Sequence, residues 1–548
     1  MKYLITEYDK ELLLQHQLYY KIRVTVVNNE DAVVDTLTGI YTCGNLTIDS
    51  DSNIRRTANF TIKLDDFVSN IEAKISNWLG LYYVVEIGVK DIRTDEYVYY
   101  PCGTYCITGA STEYNASTNS ATFDLSDRMA ELDGTKNGQD GGAPTITIPV
   151  EYEGKQQTIR GAVVNTLTAS TKVKKYIIDD IGEFYGMPQN NPDYEEYRKI
   201  HNTWNIIPYD LEFSCGDNIA DILFEIRDLY PNCQMYFDIY NNFCFDLIPS
   251  LDKDLPDMDT NYIEQILLGE NTESTTYDVT AIKNVVEVFG KDYDVDYFSE
   301  EVSCKDNVYS VKIKEYGDSY QTYDMIAFKP NITCSESPKL QIVAENTIAK
   351  DDKTETQIVT LDVLPIYEEY TETLLKSDEL QKDDMCVFKI YKMDKKYCAY
   401  YIGKYQPHAL SVLTDSETDT KYTKKYFSDK YNVEEKNVVF RVQPFSPFTI
   451  QKYGEVLDCK SGDEYDNILS DSIARQTAAY FNRNYSTMYD TVTINTVLIP
   501  WLDVNVKINY RKLQENITYS YIVKSINHNF DSGTSEITMY RFMQLYEN

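Results

Sequence analysis

Asn59-Phe-Thr-Ile-Lys-Leu64 decides the fold class. Apolar and polar residues alternate there, so Phe60, Ile62 and Leu64 fall on one face of a strand. Working outward, the same reading extends from Gly44 to Asp133. Trp78 opens a hydrophobic run, Leu79 to Val89, and Tyr97-Val-Tyr-Tyr100, Gly103-Thr-Tyr-Cys-Ile107 and Thr122-Phe-Asp-Leu125 follow it. Half-buried strands succeed one another with almost no helix between them, which describes a β-module rather than an enzyme core.

The chain has 548 residues, too many for one ordinary core, and about three or four domains are expected. Hydrophobic residues at 43% and charged residues at 25% describe a globular protein rather than a disordered one. The 49 tyrosines fit strands, where the ring packs on the pleated face and the hydroxyl reaches water or a partner. A net charge of −35 disfavours a protein that reads nucleic acid, since such a protein needs a basic face for the phosphates. It does not exclude passive passage of DNA, because an acidic channel wall repels the DNA backbone.

The 11 cysteines are scattered and odd in number, so most read as reduced core thiols and not as a disulfide framework. Cys102 and Cys106 lie four apart in a strand region and are expected on one face, but without a second pair or nearby histidines they make a poor zinc site. The start, Met1-Lys-Tyr-Leu-Ile-Thr-Glu-Tyr8, has no long apolar core, and no later run has the length of a membrane span. The expectation is assembly in a bacterial cytoplasm without stable membrane insertion.

Composition changes abruptly after Asp133, where Gly134-Thr-Lys-Asn-Gly-Gln-Asp-Gly-Gly142 reads as a flexible connector. Residues 144–150 read as a short strand and Ile159 to Tyr185 as helical, ended by the loop Met187-Pro-Gln-Asn-Asn-Pro192. Asp217 is placed to cap a helix whose Ile219, Ile222, Leu223, Ile226 and Leu229 form one apolar stripe. Gln234 to Tyr240 and Phe243 to Ile248 then read as a hairpin turning at Asn241-Asn242, since asparagine tolerates positive φ. Strand structure returns at Ile282-Lys-Asn-Val-Val-Glu-Val-Phe-Gly290. Residues 291–437 hold further strands, at Gln357–Leu361, Cys386–Tyr391 and Tyr397–Ile402. Asp463 to Asn484 reads as an amphipathic helix, and Thr491–Asn495, Ile499–Ile508, Tyr519–Ile526 and Glu536–Tyr540 as closing strands.

The order of these pieces resembles the baseplate hub family of phage tail tips, the front part of many tail-associated lysins. The residues that carry it are the turn Asp49-Ser-Asp-Ser-Asn53, the pair Arg55-Arg56, Trp78, Gly103-Thr-Tyr-Cys-Ile107, and Leu125-Ser-Asp-Arg-Met129 running into Leu132-Asp-Gly134. The helix feeding a hairpin and the last hundred residues extend the resemblance. It implies a mainly β, multidomain α+β chain with two tail-tube-like β-barrels, a helix and β-hairpin domain and an inserted β-domain. The expected domains are 1–133, an N-terminal barrel; 134–281, helix and hairpin; 282–437, a strand returning to the first barrel and then a peripheral β-domain; and 438–548, a helix with the closing barrel. The resemblance further implies a homotrimeric ring in the virion tail tip, joining tail tube or distal tail proteins to tip or fibre proteins around a DNA-ejection channel. Three chains with two barrels each would match a sixfold tube.

No catalytic role is expected and no cofactor is implied. The 4 histidines, His16, His201, His408 and His528, are far apart, and there is no His-Glu-x-x-His, Gly-x-Ser-x-Gly or phosphate-binding loop. Tail lysins often carry a lytic domain after the hub; here the chain is expected to end with the barrel. Cys398 and His408 are the nearest thiol and imidazole pair, and read as a core thiol and a loop side chain. Asp49-x-Asp51-x-Asn53 starts like a calcium loop but lacks its glycine and its closing glutamate, and Asp292, Asp294 and Asp296 share a strand face. Arg55 and Arg56 face opposite ways if they lie on a strand, so one is expected to meet an acidic neighbour across a subunit boundary while the other stays in its own fold. Two alternatives remain at this stage: a receptor- or carbohydrate-binding tail protein using tyrosines such as Tyr367 and Tyr370, and a cell-wall hydrolase.

Overall fold

In the computed structural model the alternation around Phe60 becomes a strand in a sheet that both ends of the chain build. The structure describes residues 3–541 apart from 38–39, 64–77, 115–118, 150, 153–154, 179–206, 208–209, 230–232, 249–256, 270–272, 300, 351–352, 369–371, 378, 381, 383, 394, 463–464, 466–467 and 469–470. The Met187–Pro192 loop lies outside the described residues.

A short helix α1 (Glu7–Leu13), capped by Thr6 and Asp9, precedes β1 (Tyr20–Val27), β2 (Val33–Leu37), β3 (Ile40–Asp49), β4 (Arg56–Lys63), β5 (Tyr82–Asp91), β6 (Glu96–Tyr114) and β7 (Asn119–Asp127). Phe60 packs its ring on Phe123 at 5.3 Å and Tyr83 at 5.8 Å, and Trp78 meets Phe123 edge-on. Cys102 and Cys106 do not share a face. The β5–β6 register shifts after Glu86↔Pro101 to Val85↔Gly103, with Gly103 at φ +125°, so one extra residue flips the alternation. Cys102 joins the main core, whereas Cys106 packs with Val27, Tyr82 and Ala130 on the other side.

The next unit holds β8 (Thr145–Ile148), β9 (Glu151–Tyr152), β10 (Lys155–Gln156), α2 (Ile159–Ser170), β11 (Tyr176–Ile178), β12 (Leu211–Ser214), α3 (Ile219–Asp228), β13 (Cys233–Phe237) and β14 (Phe243–Leu247). The helix expected from Ile159 ends at Ser170, and Tyr176–Ile178 becomes a strand parallel to Phe243–Phe245. The stripe of α3 is buried as the spacing requires, while Asn218 rather than Asp217 occupies the cap position. Asp217 instead accepts the Ser214 N–H at 2.7 Å. Asn241 turns the β13–β14 hairpin at φ +65°. The 134–142 segment is tied down: Ile219 N–H donates to Gly138 O, Ala220 N–H to Leu132 O, and Asp140 and Gly216–Asp217 exchange two backbone hydrogen bonds.

After α4 (Thr260–Ile266), β15 (Glu273–Asp278) joins the large sheet and β16 (Val285–Phe289) does not. The return to the first strands expected at Ile282–Gly290 is therefore not made there, because both sides of β16 are occupied within another sheet. A nine-stranded sheet follows, made of β17 (Tyr297–Ser299), β18 (Val302–Lys305), β19 (Val308–Lys314), β20 (Met325–Phe328), β21 (Lys339–Lys350), β22 (Lys353–Thr360), β23 (Leu364–Glu368), β24 (Cys386–Met393) and β25 (Lys396–Lys404). Then come β26 (His408–Thr414), α5 (Lys424–Tyr431), β27 (Val438–Val442), α6 (Ile450–Tyr453) and β28 (Leu457–Lys460). The order β27-β26-β16-β28 draws one four-stranded sheet from both sides of residue 437.

The helix α7 (Asp471–Tyr485) leads into β29 (Tyr489–Val497), β30 (Lys507–Lys512), β31 (Ile517–Asn529) and β32 (Thr534–Arg541). These strands continue the N-terminal sheet. Its order is β15-β29-β32-β31-β3-β4-β7-β6-β5-β1-β2, with β30 on β31. The seam is antiparallel, Asn45↔Asn529 to Asp49↔Ser525. The strands expected in two barrels thus share one sheet and one apolar core, in which Phe60 and Tyr83 sit with Trp501, Tyr510 and Val523. The protein is mainly β, with helices laid on its sheets.

Gly138 lies at φ +118°, and a Cβ there would sit 2.4 Å from the Leu132 carbonyl carbon; at Gly142, φ +107°, it would meet nothing within 4 Å. Both positions carry the backbone strain of a positive φ, about 1–2 kcal/mol for an L-residue, but only Gly138 adds a backbone clash. Gly138→Ala is expected to destabilise the protein clearly more than Gly142→Ala, as read by urea unfolding of the two variants side by side.

Candidate functional site

The Arg55-Arg56 pair lies where three distant segments meet. The turn before it is built locally: Asp49 Oδ1 accepts the Asp51 N–H at 2.9 Å, Asp49 N–H donates to Arg55 O, and Lys524 Nζ holds Asp51 at 2.8 Å. The calcium-like start is thus a turn with a lysine partner. Arg56 then opens β4, opposite Ile48.

Both arginines are buried, Arg55 at 4% exposure and Arg56 at 1%. The Arg56 backbone N–H donates to Asp127 Oδ2 at 2.9 Å, and Asp127 Oδ1 accepts the Met129 N–H at 2.9 Å. The Arg56 guanidinium donates to Phe237 O from the hairpin β13–β14 and to Asp503 Oδ2 from the segment between β29 and β30, each at 2.5 Å. Arg55 lies over the Tyr236 ring at 3.8 Å and donates to Gln234 Oε1 at 2.8 Å; Asn505 Nδ2 donates to the same oxygen at 2.7 Å. Gly103 leaves room for the Arg56 stem, since a Cβ there would approach its Cδ to 3.3 Å. Nearby, Arg128 donates to Asn241 Oδ1 and Glu131 and covers the Tyr82 ring.

The expected division of labour, one arginine inward and one across a subunit boundary, gives way to two inward arginines with partners in the same chain. The alternation rule places their Cβ atoms on opposite faces. The hairpin unit covers Arg55 and the C-terminal segment reaches Arg56, so neither face of the strand start is open to solvent.

Electrostatics follow from this burial. Burial lowers the Arg55 pKa despite the attraction of Asp503. It is the largest influence on the Arg56 charge too, but the attractions of Asp503, Tyr105, Asp127 and Tyr236 together outweigh it and the pKa ends above the ordinary value. Asp127 is pushed up to about 6 by burial, in spite of the two backbone N–H groups that favour its charge. A crevice beside the junction is lined by Tyr3, Cys102, Trp501, Asp503 and His528. His528 is buried, its Nδ1 is 2.7 Å from Ser535 Oγ, and burial pulls its pKa down to about 4. The Cys102 Sγ faces the carbonyls of Tyr100 and Pro500, so this crevice holds a neutral imidazole and a buried thiol.

Other sequence-level candidates are dispersed. His408 Nε2 lies 2.9 Å from Glu287 and its ring stacks on Phe289 at 4.1 Å, while Cys398 Sγ faces Tyr391 O. Burial raises the Cys398 pKa to about 11, the opposite of an activated nucleophile. Asp296 accepts the Met325 N–H, and Tyr367 packs on Tyr400; Tyr370 lies outside the described residues. Among the described residues, no three histidine, cysteine, aspartate or glutamate side chains converge as a metal site, and no helix is long and apolar enough to cross a membrane. Asp503, Gln234 and Asn505 were not singled out by pattern, although a buried arginine pair in an acidic chain requires acceptors of this kind.

Comparison with known proteins gives one family match, to a domain of unknown function, DUF5048, over residues 445–546. No curated protein matches the chain. Among solved structures it is similar to the 43 kDa tail protein of prophage MuSo2 from Shewanella oneidensis, with 9% identity, 95% of this chain and 98% of that one covered, and a TM-score of 0.43. It is also similar to the tail protein from Neisseria meningitidis MC58, with 7% identity, 95% and 96% covered, and a TM-score of 0.41. The prophage tail protein gp18 from Listeria monocytogenes EGD-e shows 8% identity, 94% of each chain covered and a TM-score of 0.39. With TM-scores this low, the likenesses carry no conclusion about what this chain does.

Removing one member of a buried pair strands the other charge, at a cost of about 3–5 kcal/mol. Arg56→Met and Asp503→Asn are each expected to lose stability on that scale in urea melts, and the double variant to lose much less than the sum. Additive losses would show that the two side chains do not act as a pair.

His528 sets a pH dependence of definite sign. Its folded pKa of about 4 lies below the ordinary 6.5, so its stabilising contribution is complete above pH 6.5 and is lost as pH falls toward 4. Asp127, raised to about 6, acts in the other direction, favouring the fold on acidification. Comparison with His528→Gln isolates the imidazole. Between pH 6 and pH 4.5 the native chain is expected to lose stability relative to the variant, by up to about 1.4 kcal/mol per pH unit. Parallel curves would place His528 in water.

Proposed function

We propose that the chain is a non-enzymatic structural protein of a phage tail tip, a baseplate hub that assembles as a homotrimeric ring. The ring would connect the tail tube to tip or fibre proteins and surround the DNA-ejection channel. The observation that carries this reading is the large sheet, which joins the two ends of the chain and whose strand order, among the described residues, ends in unpaired edges at β2 and β15. Among the described residues, β2 pairs only with β1, and β15 only with β29. On β2, Val33 is 68% exposed and Val34 55%, an edge that no described part of the chain covers. Free strand edges template pairing with another chain, and a head-to-tail contact between different edges makes a ring when its rotation closes, at three chains in this reading. Each chain brings an N-terminal and a C-terminal group of strands, so three chains would present six around a channel. The order of sequence pieces resembling the hub family supports the same reading.

The net charge of −35 suits a wall past which DNA slides, because it gives phosphates no basic patch to bind. The units outside the large sheet would face outward, toward neighbouring tail proteins. The wall of the reading is then the large sheet, built from strands of 1–133, from β15 and from β29 to β32, with the rest of 134–281, 282–437 and 438–548 as attachments.

Light scattering and negative-stain imaging of the purified protein test this. A particle of three times the chain mass with a central hole is expected, and Val34→Lys on the edge strand is expected to shift it to monomer with an unchanged thermal melt. A protein that stays monomeric, alone and with neighbouring tail proteins, overturns the ring.

A further inference from the structure

Among the described thiols, Cys304 and Cys334 stand apart. Their Sγ atoms are 3.6 Å apart although the residues are separated by 30 positions. Cys304 is half-buried on β18 and Cys334 is buried in the segment between β20 and β21. The approach is built. Asn307, at the tip of the β18–β19 hairpin with φ +60°, accepts on its Oδ1 from Ser335 N–H at 3.0 Å, Ser335 Oγ at 3.2 Å and Glu336 N–H at 3.4 Å. Its backbone oxygen accepts from Lys339 N–H at 2.8 Å. Tyr309, opposite Cys304 in the hairpin register, donates its hydroxyl to Ile332 O at 2.6 Å. Hydrogen bonds on both sides of Cys334 therefore hold its segment against the strand that carries Cys304.

We propose that Cys304 and Cys334 form a disulfide when the protein meets an oxidising disulfide of the glutathione type. The sulfurs must approach by about 1.5 Å to reach bonding distance, a side-chain torsion and a small segment shift. The more exposed Cys304 gives up its proton and its thiolate attacks one glutathione sulfur, breaking that S–S bond and releasing a glutathione thiolate, which takes the proton. The Cys334 thiolate then attacks Cys304 Sγ in the mixed disulfide, forming the internal S–S bond and expelling the second glutathione, which takes the Cys334 proton. The two cysteines are oxidised, one oxidised glutathione is reduced to two thiols, and no other reactant is needed. Burial, and then the neighbouring Cys334 thiol, hold the Cys304 pKa up at about 11, so exchange quickens as pH rises. The bond would fix the segment after β20 to the hairpin at the β18 edge of the nine-stranded sheet.

The full chain, incubated with oxidised glutathione at pH 8 and at pH 6.5, acid-quenched, digested and read by mass spectrometry, decides this. A linked pair of peptides containing Cys304 and Cys334, two hydrogens lighter than the two thiol peptides together, is expected, and sooner at pH 8. Cys304→Ser and Cys334→Ser each remove it, while Cys459→Ser leaves it. Recovery of both thiols fully alkylated after denaturation, a glutathione retained on Cys304 without the internal link, or links scattered over other cysteines would each overturn the proposal. The unmodified chain alone decides the outcome if a variant misfolds.

Discussion

The Arg56 guanidinium is the constraint on which the rest of the molecule depends. A cation at 1% exposure is tolerable only if its charge is met and most of its donors are used; Arg56 Nε is the one that stays without a hydrogen-bond partner. Its two hydrogen-bonding nitrogens are used by groups 181 and 447 positions away, Phe237 O and Asp503, while its backbone N–H is taken by Asp127. An apolar side chain of similar size would fill the space without fixing direction. A planar fork with a carboxylate on one nitrogen and a carbonyl on the other sets how the hairpin unit and the C-terminal segment sit against β4. Such a buried pair contributes little net stability against an apolar replacement, so its physical value here lies in position.

The seam between β3 and β31 gives that position a consequence for folding. The N-terminal strands cannot gain their neighbour until residues 525–529 are present, and the intervening chain must be gathered first. The closure entropy of so long a loop is offset only when many contacts form together, which makes this sheet the slow element. The hairpin unit and the nine-stranded sheet draw their strands from within their own segments and need not wait for it. These parts can therefore form as units before the large sheet closes.

Period-two and period-three-to-four patterns made many elements legible. Phe60 and Ile62 lie inside β4, the α3 stripe is buried, and Asn241 turns its hairpin, because these features depend on residues close in sequence. What depends on distant partners was not legible. Cys102 and Cys106 part company because Gly103 inserts a bulge opposite β5, and a bulge leaves no trace in alternation. Val285–Phe289 has the composition of any buried strand, and nothing in it says that its neighbours are β26 and β28. Arg55 and Arg56 look like a surface pair because two adjacent arginines usually are one. Their burial depends on Gln234, Tyr236 and Asp503, whose nearness only the fold supplies.

The mode of attachment of the nine-stranded sheet completes the logic. The chain leaves the four-stranded sheet at β16 and returns at β26, its antiparallel neighbour, and the two crossing strands stay joined beyond it: Gly290 N–H donates to Pro407 O and Tyr293 N–H to Tyr405 O. At this base a Cβ on Gly403 would meet the Asp471 carboxylate at 2.8 Å, so the strand end lies directly on the start of α7. Burial, and then Glu434, push the Asp471 pKa up to about 6, while Lys436 bridges Glu434 at 3.1 Å and Glu379 at 3.3 Å. Asn482, further along α7, donates to Asn284 O and Ser411 O and pins the helix across β16 and β26. The nine-stranded sheet is thus held by two paired chain segments and a buried polar base, neither of which shares a residue with the Arg56 junction. A change within residues 297–404 can alter what that sheet presents to its surroundings and leave the large sheet intact, because among the described residues no strand of the large sheet comes from within it.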